Sequence, residues 1–225
     1  MTGEAQILRE LREFTVTHDV GREHSTYWVR VGGHADPVVF LHKDVPVHVE
    51  VRPYHAAPAG EPGRLLGYVK LGKAWDAQQV EIGSVQLGKR RTDIHRAPVT
   101  QHGLGTLTPR LEGVGAVVHK VAKVVEWSDL GLLSARQMEA MASVHVRCQG
   151  STSLGFELTR RAGTTGVFDV VVHDPNLSRL LVLAYLDRFN VSAFDARRAG
   201  IGLTTNPFRA VGERRRMAEE RRQQG

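Results

Sequence analysis

Asp174-Pro175-Asn176-Leu177-Ser178-Arg179-Leu180-Leu181-Val182-Leu183-Ala184-Tyr185-Leu186-Asp187-Arg188-Phe189 is the stretch that decides the fold. Asp174 can cap a helix through its carboxylate, and Pro175 suits a first helical position, where no amide hydrogen is needed. Leu177, Leu180, Leu181 and Ala184 share one helical face. Val182, Leu183, Leu186 and Phe189 cover much of the remainder. A surface helix keeps a polar face, so a helix apolar nearly all round belongs in an interior. Almost everything before it reads as short strands. One buried helix among many strands predicts a mainly β fold. The strands should form a closed or nearly closed antiparallel barrel of about twelve around a near-C-terminal helix at 176–189.

Toward the N-terminus the hydrophobic pattern has period two. Phe14, Val16 and His18 alternate with Thr15, Thr17 and Asp19. Strands at 27–31 and 38–41 flank the turn cluster Gly32-Gly33-His34-Ala35-Asp36-Pro37. Residues 45–51 alternate cleanly, with Pro46 marking a strand start or an edge. Pro53 to Gly63 holds three prolines and two glycines. It reads as a long hairpin connection, because the strand pattern resumes unchanged beyond it. The runs 65–70, 80–85, 104–107, 114–118 and 154–158 each set a glycine among apolar residues, a habit of strands that coil around something. Ser134-Ala135-Arg136-Gln137 has capping-box spacing and predicts a short helix to Ala142. Strands resume at 144–146 and 166–172. These readings divide the chain into a lead-in at 1–12, a barrel at 13–194, and a basic, flexible or helical tail at 195–225.

A strand-rich chain closed by a near-C-terminal apolar helix resembles the Tubby C-terminal-like superfamily, which includes Tubby domains, phospholipid scramblases and LURP-one-related proteins. The likeness is most specific in Phe168-Asp169-Val170-Val171-Val172-His173-Asp174 and the Leu180–Phe189 run, which look like the scramblase-type strand leading into its core helix. Leu66-Gly67-Tyr68-Val69-Lys70 and Val114-Gly115-Ala116-Val117-Val118-His119-Lys120 resemble its glycine, apolar, lysine strands. The resemblance implies a lipid-facing or partner-binding role. It also directs attention to Asp169, His173 and Asp174, which stand where the scramblase-type calcium site lies. Calcium takes six to eight oxygens, several of them carboxylates, and two aspartates are too few. Neither calcium nor any other cofactor is expected.

Chemistry-bearing motifs are sparse. The chain has eleven histidines, but His42, His48, His55, His95 and His102 form no compact metal-ligand spacing. Cys148 is the only cysteine, which rules out an internal disulfide and favours a reducing compartment. In a strand at 144–148 it reads as a small buried thiol. No nucleophile elbow, phosphate loop or kinase set is present. The expectation is a protein that is not an enzyme. The N-terminus lacks a signal-peptide core, and no apolar run approaches the ~20 residues of a membrane-spanning helix. Cytoplasmic localisation follows, with room for peripheral attachment to a membrane.

Positive charge is the best functional signal. The formal net charge is +6, which favours anionic partners. Between Arg64 and Lys123 there are ten basic and four acidic side chains. Lys70, Lys73, Lys89, Arg90, Arg91, Lys120 and Lys123 are the candidate lipid- or anion-binding residues, with Lys89-Arg90-Arg91 the densest cluster. Such a cluster can hold anionic phospholipid or grip the phosphates of nucleic acid. Tyr68 and Trp75 are the only aromatics in that span, few for base stacking. The expected function is therefore a binding module for anionic lipid headgroups or a membrane-associated partner. A nucleic-acid-binding accessory protein using the same arginines and the tail is the second reading, and a protein-interaction scaffold the third.

Overall fold

A computed structural model describes residues 6–21, 23–44, 52–86, 96–112, 143–162 and 166–198, with side chains through Asn190. A short helix, α1 (Gln6–Arg9), leads into strands β1 (Glu13–Val20), β2 (Ser25–Val31), β3 (Val39–Lys43), β4 (Tyr54–Pro58), β5 (Gly67–Lys70) and β6 (Lys73–Asp76). Then come β7 (Glu81–Val85), β8 (Val99–Gln101), β9 (Gly105–Glu112), β10 (Val144–Gln149), β11 (Phe156–Arg160), β12 (Val167–Val172) and a helix, α2 (Arg179–Arg198). Each strand pairs antiparallel with its sequence neighbours, and β12 returns to β1 with Phe168 opposite Val16. The expected mainly β fold, a closed barrel of twelve strands with the helix packed against it, is the one observed.

Alternation along the strands sorts the side chains. Val146 and Cys148, Phe156 and Leu158, and Phe168, Val170 and Val172 are buried, while their neighbours are partly exposed. The inward set meets α2 and the turn before it, buried continuously from Leu177 through Asn190. The helix lies closest to β5, β6 and β7, where small inward residues, Gly67, Ala74 and Gly83, leave it room. A Cβ at Gly67 would lie 2.5 Å from Leu180 Cδ1, and one at Gly83 would lie 3.1 Å from Leu181 Cδ2 and strike the Thr100 carbonyl oxygen. On the far wall, rings fill the gap. Phe156 meets Tyr185 edge-on at 5.5 Å and Phe168 meets Phe189 at 6.3 Å. Each large apolar side chain buried this way contributes about 1.5–3 kcal/mol.

The helix differs from the expected 176–189 at both ends. It starts at Arg179, because Asp174 folds a turn of its own. The Asn176 amide donates to Asp174 Oδ1 at 2.8 Å and the Leu177 amide to the Asp174 carbonyl at 3.2 Å. Pro175 therefore sits in a turn, and Ser178 occupies the residue before the first helical one. At the other end α2 runs on to Arg198, since no glycine or proline interrupts it before Gly200. The expected connection at Pro53–Gly63 contains β4. Pro53 and Pro58 flank or end that strand rather than interrupt it, so their presence does not forbid a ladder. The expected strands at 45–51 and 114–118, the helix to Ala142 and the tail beyond Arg198 lie outside the described residues.

Arg179 is fully buried at the helix start. Its guanidinium donates to the carbonyls of Leu11 (2.8 Å), Arg9 (3.0 Å), Pro175 (3.1 Å) and Leu177 (2.6 Å). One side chain thus ties α1, the link from α1 to β1 and the turn before α2 together. Only a planar fork of donors reaches carbonyls in several directions. Arg179→Lys keeps the charge but strands several of them, and should lower unfolding free energy by about 2–3 kcal/mol. Urea denaturation measures this, and a loss within error of zero would show the fork to be dispensable.

Candidate functional site

In a barrel whose strands run alternately up and down, successive connections fall at opposite ends. The β1–β2, β3–β4, β5–β6, β7–β8, β9–β10 and β11–β12 connections share one rim. The helix starts at the opposite end, beside Arg179, and runs toward this rim. Lys70 and Lys73 face each other across the β5–β6 hairpin on it. Lys89, Arg90 and Arg91 fall between Val85 and Val99, and Lys120 and Lys123 between Glu112 and Val144. Those five lie outside the described residues, but the strand ends that bracket them belong to the same rim. Among the described residues, the lysines that this rim carries are Lys70 and Lys73 of the β5–β6 hairpin.

Lys73 donates to Glu81 at 2.8 Å on the outer wall. Lys70 makes no hydrogen bond or ion pair among the described residues. Between them lie Leu71 and Gly72, both in the left-handed region, with φ of 52° and 76°. This is the geometry of a tight type I′ hairpin turn, which favours asparagine or glycine at its first central position. Leu71 is instead a leucine, 44% exposed at the tip of the rim. A bulky residue held there is strained by about 1 kcal/mol. An exposed leucine between two lysines was missed by reading charge alone. The signal available was the X-Gly pair between two alternating runs.

Beneath the rim, the interior turns polar. Tyr27 donates to Asp187 Oδ1 at 3.0 Å, and Asn190 Nδ2 donates to the Tyr27 hydroxyl at 3.1 Å. The same amide lies 2.5 Å from His18 Nδ1, His18 Nε2 lies 2.7 Å from Ser25 Oγ, and Ser25 Oγ lies 2.7 Å from the Tyr54 hydroxyl. His18 stacks on Tyr27 at 4.1 Å, and Lys43 Nζ sits 4.4 Å from the centre of the Tyr54 ring. Burial, with Asp187 adding to it, raises both tyrosines well above the ordinary phenol range. With Asn190 donating to Nδ1, the imidazole must carry its hydrogen on Nε2 and give it to Ser25. Ser25 is sealed from solvent, so this serine–histidine pair is a structural bond and not a nucleophile with its base. Cys148 is likewise fully buried, and burial pushes its thiol up.

Asp169, His173 and Asp174 do not converge. Asp169 and His173 share the outer face about 13 Å apart along the strand direction, whereas Asp174 is buried. Asp169 accepts two hydrogen bonds from Arg161 at 2.7 and 2.8 Å and one from Thr15 at 2.9 Å. The Arg161 bonds hold its carboxyl below the usual range. His173 faces Glu157 at 3.0 Å, and Asp174 accepts from Ser153 at 2.5 Å. Each is committed to a different neighbour. Among the described residues no group of three or more histidine, cysteine or carboxylate side chains could hold a metal ion. No protein-family model, curated protein or solved structure matches the chain.

Burial, followed by the charge of Lys43, pushes His18 down from 6.5 to about 4. The unfolded chain therefore binds a proton that the folded one refuses between those values. The contribution is fully present above about pH 6.5 and is lost as pH falls toward 4, amounting to about 3 kcal/mol. His18→Gln should flatten the fall in urea midpoint across that window. Parallel curves for the two proteins would show that another group controls acid stability.

Proposed function

We propose that this protein is a non-enzymatic binding module that docks on anionic membrane surfaces through its basic rim. The observation that carries the reading is the β5–β6 tip. Leu71 is exposed in a conformation that leucine tolerates poorly, with Lys70 and Lys73 flanking it. Apolar side chains at a loop tip enter the interfacial layer, and cations beside them meet anionic headgroups at roughly 1 kcal/mol per charge. Lys89, Arg90, Arg91, Lys120 and Lys123 would add positive charge from connections whose bracketing strands end at this rim. The lumen is taken up by α2, which removes the interior as the usual small-ligand cavity of a barrel. The resemblance to the Tubby C-terminal-like superfamily, several members of which face lipid, favours the same reading. No described helix is long and apolar enough to cross a membrane, in keeping with attachment from one side.

Sedimentation with vesicles tests this. The protein should bind phosphatidylcholine–phosphatidylserine vesicles, bind pure phosphatidylcholine weakly, and dissociate as salt rises through the screening range. Neutralising Lys89, Arg90 and Arg91 together should weaken binding by roughly 3 kcal/mol. Leu71→Asn should weaken it several-fold while raising the melting temperature, because asparagine relieves the turn. That opposite movement separates lost docking from lost folding. Absence of binding to anionic vesicles would sink the proposal, and displacement from them by duplex DNA at low salt would favour the nucleic-acid reading.

A further inference from the structure

A second site lies on the outer wall, independent of docking at the rim. The outward residues of β2 to β5 fall in register. Trp28 stands opposite Phe40, His42 opposite His55, and His55 opposite Tyr68. After β4 the chain returns beside that strand to enter β5, the Leu66 amide donating to the Ala56 carbonyl at 2.8 Å, and Pro62, Gly63 and Leu65 of the returning loop border the outer face. Between this returning loop and the wall is a groove of about 580 Å³, within the usual range for small-molecule sites. Its sides are Phe40 and Tyr68, with Leu65 from the loop, Ala57 in the floor, and Arg52 and His55 among its polar residues.

Of the polar groups lining the groove, Lys43 sits over the Tyr54 ring, and the others fall into two sets. His42 is fixed, since Thr26 Oγ1 lies 2.7 Å from Nδ1 and Asp44 Oδ1 lies 2.8 Å from Nε2. That pairing also occupies Asp44, a carboxylate lining the groove. Arg52 and His55 are exposed and make no hydrogen bond or ion pair among the described residues. The His55 ring meets Tyr68 edge-on, 5.3 Å apart at 86°. Two rings at right angles make a corner that stacks a flat molecule on one face and meets its edge with the other. The guanidinium supplies a forked donor for a carboxylate or phosphate.

We propose that this groove binds a small planar anion, an aromatic ring carrying a carboxylate or phosphate, with the ring against Tyr68 and Phe40 and the charge on Arg52. His55 donates a further hydrogen bond to the anionic group. Trp28 backs Phe40 at 5.7 Å and keeps that wall from giving way. The ligand approaches from solvent and needs no opening of the barrel.

Naphthoate and adenosine monophosphate serve as probes for the two sources of this chemistry, followed by calorimetry and by the His55 ring resonances. At least one should bind saturably and shift those resonances. Naphthalenemethanol, which lacks the charge, and inorganic phosphate, which lacks the ring, should each bind roughly tenfold more weakly. Arg52→Gln should weaken the bound probe about tenfold, and Tyr68→Ala should do likewise with the melting transition intact. Neutralising Lys89, Arg90 and Arg91 should leave the affinity unchanged. Because Arg52 is exposed, its substitution reads binding even where Tyr68→Ala unfolds the protein. Failure of both probes, phosphate binding as tightly as the nucleotide, or an Arg52→Gln protein that binds normally would each overturn the assignment.

Discussion

A helix with side chains is about 10–12 Å across, and it can stand inside a barrel only where the wall makes space. The whole architecture follows from that fit. Leu180 and Leu181 can reach β5 and β7 because Gly67 and Gly83 carry no side chain, and the rings of Phe156 and Phe168 close the distance on the other side. The wall needs the helix to fill its interior, and the helix needs the wall because it has no polar face to show water. Closure of β12 on β1 also leaves no unpaired sheet edge among the barrel strands. That closure joins residues more than 150 positions apart, a contact of high sequence separation of the kind that makes folding slow.

Leucines and valines would let a helix slide or rotate in such a lumen at little cost, so its position must be fixed by directional bonds. The two ends do this by different chemistry. At the helix start Arg179 is held by backbone carbonyls, a set of acceptors present whatever the neighbouring side chains. Toward the rim, Asp187 and Asn190 reach Tyr27 and His18, and these bonds exist in one register only. Buried polar groups are costly when half satisfied. A one-residue slip of the helix would break the Asp187–Tyr27, Asn190–Tyr27 and Asn190–His18 bonds together. The polar plug therefore selects a single arrangement, and burial within it, with the charge of Lys43, lowers the basicity of His18.

The fold was legible because its two strongest signals are compositional. An all-round apolar helix and repeated glycine-bearing strands survive any uncertainty about boundaries. The boundaries were less legible for a local reason. Asp174 and Pro175 fit a helix cap and a tight turn equally well, and only the contacts of Asp174, held by Ser153 and by the Asn176 and Leu177 amides, show which one forms. β4 was hidden by prolines that flank a strand as readily as they break one. Lys70 and Lys73 stood out as charges, but their place on the rim did not, since it depends on the alternation of connections around a closed barrel. Leu71 escaped notice because a single leucine in a sequence signals burial, and its exposure is known only once the hairpin is built. The groove was invisible for the same reason. Arg52 and His55 belong to one stretch and Tyr68 to another, and the pairing of β4 with β5 makes them neighbours.

The rim and the core are joined at one point, and this bears on how the tip can work. A Cβ on Gly72 would lie 3.0 Å from the Arg188 side chain, so the hairpin rests directly on the buried helix. The Gly72 carbonyl also accepts from the Val85 amide at 2.7 Å, which pins the turn to β7. A free hairpin with leucine in the left-handed region would relax, and Leu71 would fold back against the wall. Held from beneath and from the side, it keeps the exposed conformation before any partner arrives. In the proposed docking, an apolar tip already ordered would lose little further freedom, and the ordering entropy saved would add to an affinity built from weak contacts. The buried helix thus acts at a distance from its own contacts: by filling the lumen it stiffens the tip that lies on top of it.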